Sequence, residues 1–194
     1  MEPLSLDAQR TALVLIDLQK GIVGRQTAPY PSADVVARAR KLAERCRAVG
    51  ATVVLVHVTF SKDGRDRLAP HADLPMPAAQ VPPDWSDFVP ELGPREGDVV
   101  IAKRNWGAFY GTDLELQLRR RGIRTIVLGG ISTNFGVEST ARDAFERGYD
   151  QVLVEDAMAG MSAEAHRFAV TEIFPRFGQV RSTEQVLAAL GPRV

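Results

Sequence analysis

The chain predicts an α/β fold: a three-layer α/β/α sandwich around a mostly parallel, doubly wound six-stranded sheet. Two observations carry that expectation. Apolar runs rich in Val, Ile and Leu recur without an alternating polar face, over residues 11–17 and 51–58 for example, which marks strands buried on both sides. Between the runs lie helical stretches that stop at glycine, at Gly50, Gly122 and Gly148. Strands and helices alternating along one chain need right-handed crossovers, which put helices on both faces of a parallel sheet.

Each element follows in order. Residues 11–17 form a first strand that ends on an acid, Asp17. Ser32 is the expected N-cap of a helix reaching about residue 49. Residues 51–58 form the second strand and 99–102 a short third. Residues 113–121 read as a helix and 125–131 as the fourth strand. A helix over 134–147 follows, with Asn134 as its natural N-cap. Residues 151–154 form the fifth strand, and Ser162 opens a helix to about residue 174. A short sixth strand at Gln179-Val180 and a helix over 182–190 complete the alternation. The rhythm breaks over residues 59–98, which are rich in Pro and Asp and carry Trp85 and Phe88. A long irregular stretch of this kind is read as a lid or an oligomer arm. The whole chain, 1–194, fits one domain.

Composition excludes several classes. Lys and Arg total 24, as do Asp and Glu, so the formal net charge is zero, which argues against a nucleic-acid partner. The run Arg119-Arg120-Arg121 reads as a helix C-terminus, where cations suit the dipole. No run of about 18 apolar residues is present, so no membrane span is expected. The first residues lack a basic segment followed by an apolar run, so the expected location is cytoplasmic. Cys46 is the one cysteine, which permits neither an internal disulfide nor a cysteine-based metal cluster. His57, His71 and His166 show no ligand spacing, so neither a metal nor another cofactor is expected.

In such a sheet, ligands bind beyond the C-terminal ends of the strands. Asp17 ends the first strand, Lys103 ends the third, and Ser132 to Gly136 follow the fourth, so three distant segments converge on one edge. An acid directly after four apolar residues is partly buried. Burial raises its pKa and a nearby cation lowers it, and such a group serves as general acid or base. Binding of loop backbone amides is the other reading of Asp17. Lys103 can hold that acid ionised or bind a developing oxyanion; the plain alternative is a solvated surface charge. Phe109 is assigned to the core, and Trp106 and Tyr110 to an apolar pocket. Ile131, Ser132, Thr133 and Asn134 lead a strand into a helix N-terminus, whose free backbone amides suit an anion or oxyanion. With Gln19, Phe135 and Gly136, these complete the candidate set for binding a small-molecule substrate. At Gly136 the missing side chain is read as room for a bulky ligand. Glu138 and Arg142, four apart, suit a surface ion pair.

The segment from Gly129 to Ala144 resembles the nucleophile turn of the isochorismatase-like, or cysteine hydrolase, superfamily. Lys103 and the residues after it match that superfamily's lysine segment in the pattern K-R-x-x-x-A-F-x-G-T-D-L. With Asp17, the resemblance spans residues 11–190. It implies the sandwich fold, Asp17 and Lys103 as catalytic residues, a cis peptide at Ile131–Ser132, and a homo-oligomer, dimer or tetramer. Most members carry a catalytic cysteine where this chain has Gly136, and a glycine forms no covalent intermediate. Cysteine-bearing members hydrolyse C–N bonds; true isochorismatases need no thiol and cleave a vinyl ether. The zinc-site motif Asp-x-His of nicotinamidases is absent from residues 58–65. The resemblance therefore implies a hydrolase without the cysteine, with vinyl-ether hydrolysis as one chemistry, Asp17 as its acid and Lys103 as electrostatic partner. A catalytically silent ligand-binding or scaffold member is the second reading. An amidase dependent on Ser132 or Ser139 is the third.

Overall fold

The computed structural model describes residues 4–74 and 81–190. Six strands, β1 (Thr11–Ile16), β2 (Thr52–Val58), β3 (Val99–Lys103), β4 (Thr125–Ile131), β5 (Asp150–Ala159) and β6 (Gln179–Arg181), form one sheet in the order β3-β2-β1-β4-β5-β6. Every pairing is parallel. The strand order reverses between β1 and β4, which makes their C-terminal ends the topological switch point.

Helices cover both faces: α1 (Lys20–Val23), α2 (Ser32–Val49), α3 (Leu114–Arg120), α4 (Glu138–Glu146), α5 (Ala163–Phe168) and α6 (Thr183–Ala189). Alternate strand residues feed two cores. Val14, Ile16, Val54, Val56 and Ile101 pack with Leu114, Leu118, Ala141 and Ala144 of α3 and α4. Leu13, Leu15, Val53 and Leu55 pack on the other face with Ala39, Leu42 and Cys46 of α2 and Val186 of α6. The sandwich thus has three layers. All six residues of β1 are buried, as a continuous apolar run at the sheet centre requires. β3 lies at an edge, and its burial alternates.

The elements depart from the sequence reading at several points, among them α5, which ends at Phe168 and passes into a π-helical turn over Ala169–Ile173. β5 runs to Ala159, five residues past its expected end, and resumes pairing with β4 after a register shift. Its extension was masked by Glu155 and Asp156, which are bound here by Tyr30 and Arg38. Ser32 is the first helical residue of α2 rather than its N-cap; Pro31 holds that position and no side chain caps it. Asn134 is not an N-cap either, because residues Thr133–Val137 form a wide π-helical turn that starts after Ser132. The last helix begins at Thr183, with Ser182 and Gln185 forming a capping box.

Of the irregular stretch 59–98, residues 75–80 lie outside the described residues. Residues 82–93 form a strap over the loop that follows β1. Lys20 and Gly21 donate backbone hydrogen bonds to Asp87 and Trp85, and Val89 donates to Leu18. The Trp85 ring occupies the space where a side chain on Gly21 would sit.

Two glycines let β4 reach the switch point. A Cβ on Gly129 would lie 2.8 Å from the Ala157 carbonyl oxygen. Gly130 has φ +125, and a Cβ there would lie 2.6 Å from the Ile16 amide nitrogen. Backbone cannot yield as a flexible side chain can. We expect Gly130→Ala to lower the unfolding free energy by at least about 3 kcal/mol. Gly148 also has positive φ, +74, but open space around it, so Gly148→Ala should cost only about 1–2 kcal/mol. Urea denaturation followed by circular dichroism would measure both; equal losses would refute the packing argument.

Candidate active site

Where β1 ends, Asp17 takes φ 54, the one non-glycine positive φ among the described residues. Its backbone amide donates to the Val56 carbonyl at 2.9 Å, so the β ladder fixes this turn. A left-handed residue with a side chain costs about 1–2 kcal/mol and is kept only where its surroundings demand it. The Asp17 carboxylate lies next to Lys103, the last residue of β3. Lys103 Nζ stands 2.8 Å from Asp17 Oδ2 and donates to the Trp106 carbonyl at 2.6 Å. Lys103 is 1% exposed and Asp17 7%. The other carboxylate oxygen, Asp17 Oδ1, is buried and has no hydrogen-bond partner.

Burial disfavours the charged form of Asp17, while the charge and hydrogen bond of Lys103, the charge of His57 and, least, the Val58 backbone amide favour it. Burial dominates, and the carboxyl is pushed up to about 6. Such a group changes protonation close to neutrality, as a general acid or base must. One oxygen is tethered to the ammonium, and Oδ1 has no hydrogen-bond partner.

The turn after β4 closes over this pair. A Cβ built on Gly136 would lie 2.9 Å from Ile16 Cγ2, 3.2 Å from Asp17 Oδ2 and 3.3 Å from Lys103 Nζ. This corrects the reading of Gly136 as room for a bulky ligand. The space above its Cα is already filled, and glycine serves to let the turn rest on the ion pair. No thiol is nearby: Cys46 is buried among the α2-face core residues, and burial pushes its pKa up to about 12.

The remaining candidates divide. Phe135 and Trp106 are 39% and 51% exposed and meet edge to face at 4.9 Å, beside Gly136 and Lys103. Ser132 and Asn134 are half-buried. Asn134 Oδ1 is unpartnered and faces Gly160. Thr133 is buried, with its hydroxyl 2.8 Å from His166 Nδ1. The Ile131–Ser132 peptide is cis, as the resemblance implies.

Gln19, Ile131 and Thr133 are closed to a ligand, and Tyr110 lies out in solvent. Gln19 is wholly buried. Its Oε1 accepts from the Val58 amide at 2.8 Å, and its Nε2 donates to the carbonyls of Val58 and Trp85 at 3.0 and 3.1 Å. It therefore ties the loop after β1 to β2 and the strap. The Ile131 side chain packs in the α2-face core. Tyr110 is 74% exposed. Phe109 is in the core, as expected.

Sequence reasoning missed two histidines. His57 is half-buried at the end of β2; its Nδ1 meets the Ser86 carbonyl at 2.7 Å and its ring lies on Phe88. Its position one residue before the strand end was the available signal. His166 reaches Thr133 from α5 across a separation of 33 residues, for which no local signal exists. Neither ring is bonded to Ser132 or Ser139. Among the described residues, no group of three or more His, Cys, Asp or Glu side chains is placed to hold a metal. No described helix is long and apolar enough to cross a membrane.

Comparison with known proteins gives a consistent relationship. Residues 11–185 match the model of the isochorismatase domain. The chain is 52% identical over 187 residues to the uncharacterised isochorismatase family protein YecD of Escherichia coli O157:H7, covering 96% of this chain and 100% of that one. It is 31% identical to the ureidoacrylate amidohydrolase RutB of Methylobacterium radiotolerans, covering 98% and 83% respectively. The solved structure of an isochorismatase family protein from Burkholderia thailandensis superposes with TM-score 0.93 at 48% identity, covering 97% of this chain and 99% of that one.

The raised Asp17 pKa has a measurable signature. A 13C NMR titration should place the Asp17 carboxyl midpoint near 6, against an ordinary 3.8. Lys103→Met should move it higher still, because burial remains and the cation is gone. Since the folded pKa lies above the unfolded value, the folded state holds the extra proton between about 4 and 6. Asp17 therefore contributes stability that is complete below about 4 and lost as pH rises through about 6, and Asp17→Asn should flatten that slope. A wild-type midpoint near 4 would contradict the assignment.

Proposed function

The chain belongs to the isochorismatase family, and we propose that it is a thiol-independent hydrolase of a small molecule, with Asp17 as its proton-transfer group and Lys103 as electrostatic partner. The observation that carries this reading is the buried pair itself, with Asp17 Oδ1 unpartnered and the carboxyl raised to about 6. A member serving only as a scaffold has no use for a buried lysine and acid, which are costly to desolvate.

In this reading Gly136 stands where the cysteine-bearing branch of the superfamily has its nucleophile. Two facts support it: the missing Cβ would touch both Asp17 and Lys103, and the one thiol of the chain is in the core. A covalent thiol route to C–N cleavage is then closed, and the amide hydrolysis named for the relative RutB does not transfer to this chain. Vinyl-ether hydrolysis needs no nucleophilic side chain. Asp17 in its acid form protonates the terminal methylene carbon, water adds to the resulting oxocarbenium carbon, and the hemiketal collapses to an alcohol and a ketone, pyruvate when the ether is an enolpyruvyl one. Lys103, already on Oδ2, stabilises the carboxylate left by proton transfer. Lys103 alone would hold the acid ionised; burial offsets it, so that roughly one molecule in ten carries the proton at pH 7. The working unit in this reading is a cytoplasmic homo-oligomer.

A second reading, a silent ligand-binding member, draws support from the closed turn: Gly136 rests on the pair and little of Asp17 reaches solvent. Isochorismate separates the two. EDTA-treated protein should release pyruvate, faster as pH falls toward 6, and Asp17→Asn should abolish release. Ligand binding without pyruvate release would favour the silent member. Gly136→Cys tests the closed turn. The added side chain must displace Ile16, so we expect a loss of about 1–3 kcal/mol in stability and no ureidoacrylate hydrolysis. Amidohydrolase activity in that variant would show that the turn readily opens.

A further inference from the structure

We propose that the chain carries a phosphate-binding site at the opposite edge of the sheet, on Arg10, Arg121 and Arg124. These three arginines, with Gln9 and Gly122, line an open cavity of about 370 Å³. Arg10 directly precedes β1 and Arg124 directly precedes β4, so the cavity lies at the N-terminal ends of the two central strands. Asp17 lies past the other end of β1, about 20 Å away at the usual rise per residue. The site is separate from the one discussed above and does not depend on the proposed reaction.

The backbone builds the cluster. The Arg124 amide donates to the Arg10 carbonyl at 2.8 Å, which joins the two strand entries. Gly122, with φ +68, turns the chain sharply after α3, between Arg121 and Arg124. Nothing lies within 4 Å of where a Cβ on Gly122 would be.

The charges are poorly matched within the chain. The Asp7 carboxylate is 4.0 Å from Arg10 Nε in an exposed pair, and it also accepts from the Gln9 amide. Arg121 bonds only neutral acceptors, the carbonyl and side-chain oxygens of Gln117. Arg124 has no ion pair among the described residues. Neutralising the C-terminus of α3 accounts for Arg121 but not for Arg10 or Arg124, which lie outside that helix. Three arginines line one cavity with a single, exposed carboxylate partner among them, which leaves an excess of positive charge for an anion to answer. Their planar forks match the oxygens of a phosphoryl group, whose second negative charge suits three cations better than a carboxylate does.

The test follows the backbone amides of Gly122 and Arg124 by 1H–15N NMR. Inorganic phosphate, ribose 5-phosphate and ribose are titrated at constant ionic strength, with chloride as balance. Saturable shifts with both phosphates and none with ribose are expected. Arg10→Ala and Arg124→Ala should each weaken binding about tenfold, and Arg40→Ala, on α2, should leave it unchanged. Tighter binding of ribose 5-phosphate assigns the site to a phosphate ester; equal binding assigns it to the free anion. Shifts that chloride reproduces, absence of saturation, or unchanged binding in the Arg10→Ala/Arg124→Ala double variant would overturn the proposal.

Discussion

A lysine with almost no access to water must have its charge answered inside the protein, and at Lys103 the answer is Asp17. That one ion pair explains much of the surrounding geometry. Desolvating two charges is compensated only when their separation is short and the remaining protons are bonded. The 2.8 Å contact and the bond to the Trp106 carbonyl meet that condition for Lys103. Asp17 leaves the strand in a left-handed conformation at this point, and β4 presses close through Gly129 and Gly130. At Gly136 the next turn comes so close that a Cβ there would lie 3.2 and 3.3 Å from the two charged atoms. One oxygen of the carboxylate is left out of this arrangement, and the chemistry proposed for the chain rests on it.

The sheet itself was largely legible in the sequence, because a strand buried on both faces has no alternative but a continuous apolar run. The convergence of Asp17, Lys103 and the Ser132–Gly136 segment on one edge followed from the strand reading. What could not be read depended on long-range contacts. Gln19 looked available to a ligand next to Asp17, yet its amide is consumed by Val58 and Trp85, 39 and 66 residues away. Asn134 has the composition of an N-cap, but the turn widens after Ser132 and α4 starts three residues later than an N-cap there would require. At Tyr110, an aromatic beside the lysine segment proved to face solvent. Glu155 and Asp156 concealed the far half of β5, because their partners Tyr30 and Arg38 come from another layer.

The strap adds a further layer of dependence. Trp85 sits on Gly21, Phe88 lies on His57, and Lys20 pairs with Asp84 and Asp87 at 3.0 and 3.3 Å. The surface ion pairs are exposed and contribute little alone. Backbone hydrogen bonds and ring contacts hold the loop after β1 in place, and Gln19 is the point where loop, strand and strap meet.

The closeness of Gly136 to Ile16, Asp17 and Lys103 also constrains the order in which this sequence can change. Once neighbours have settled against a bare Cα, restoring bulk there is no longer a single reversible step. Ile16 is wholly buried in a central strand and would have to shift to admit a side chain there, at a cost in core packing and with no immediate return. A glycine at this position therefore acts as a ratchet. Descendants of such a chain can readily diversify the exposed Trp106 and Phe135, but they cannot easily regain a side chain at residue 136.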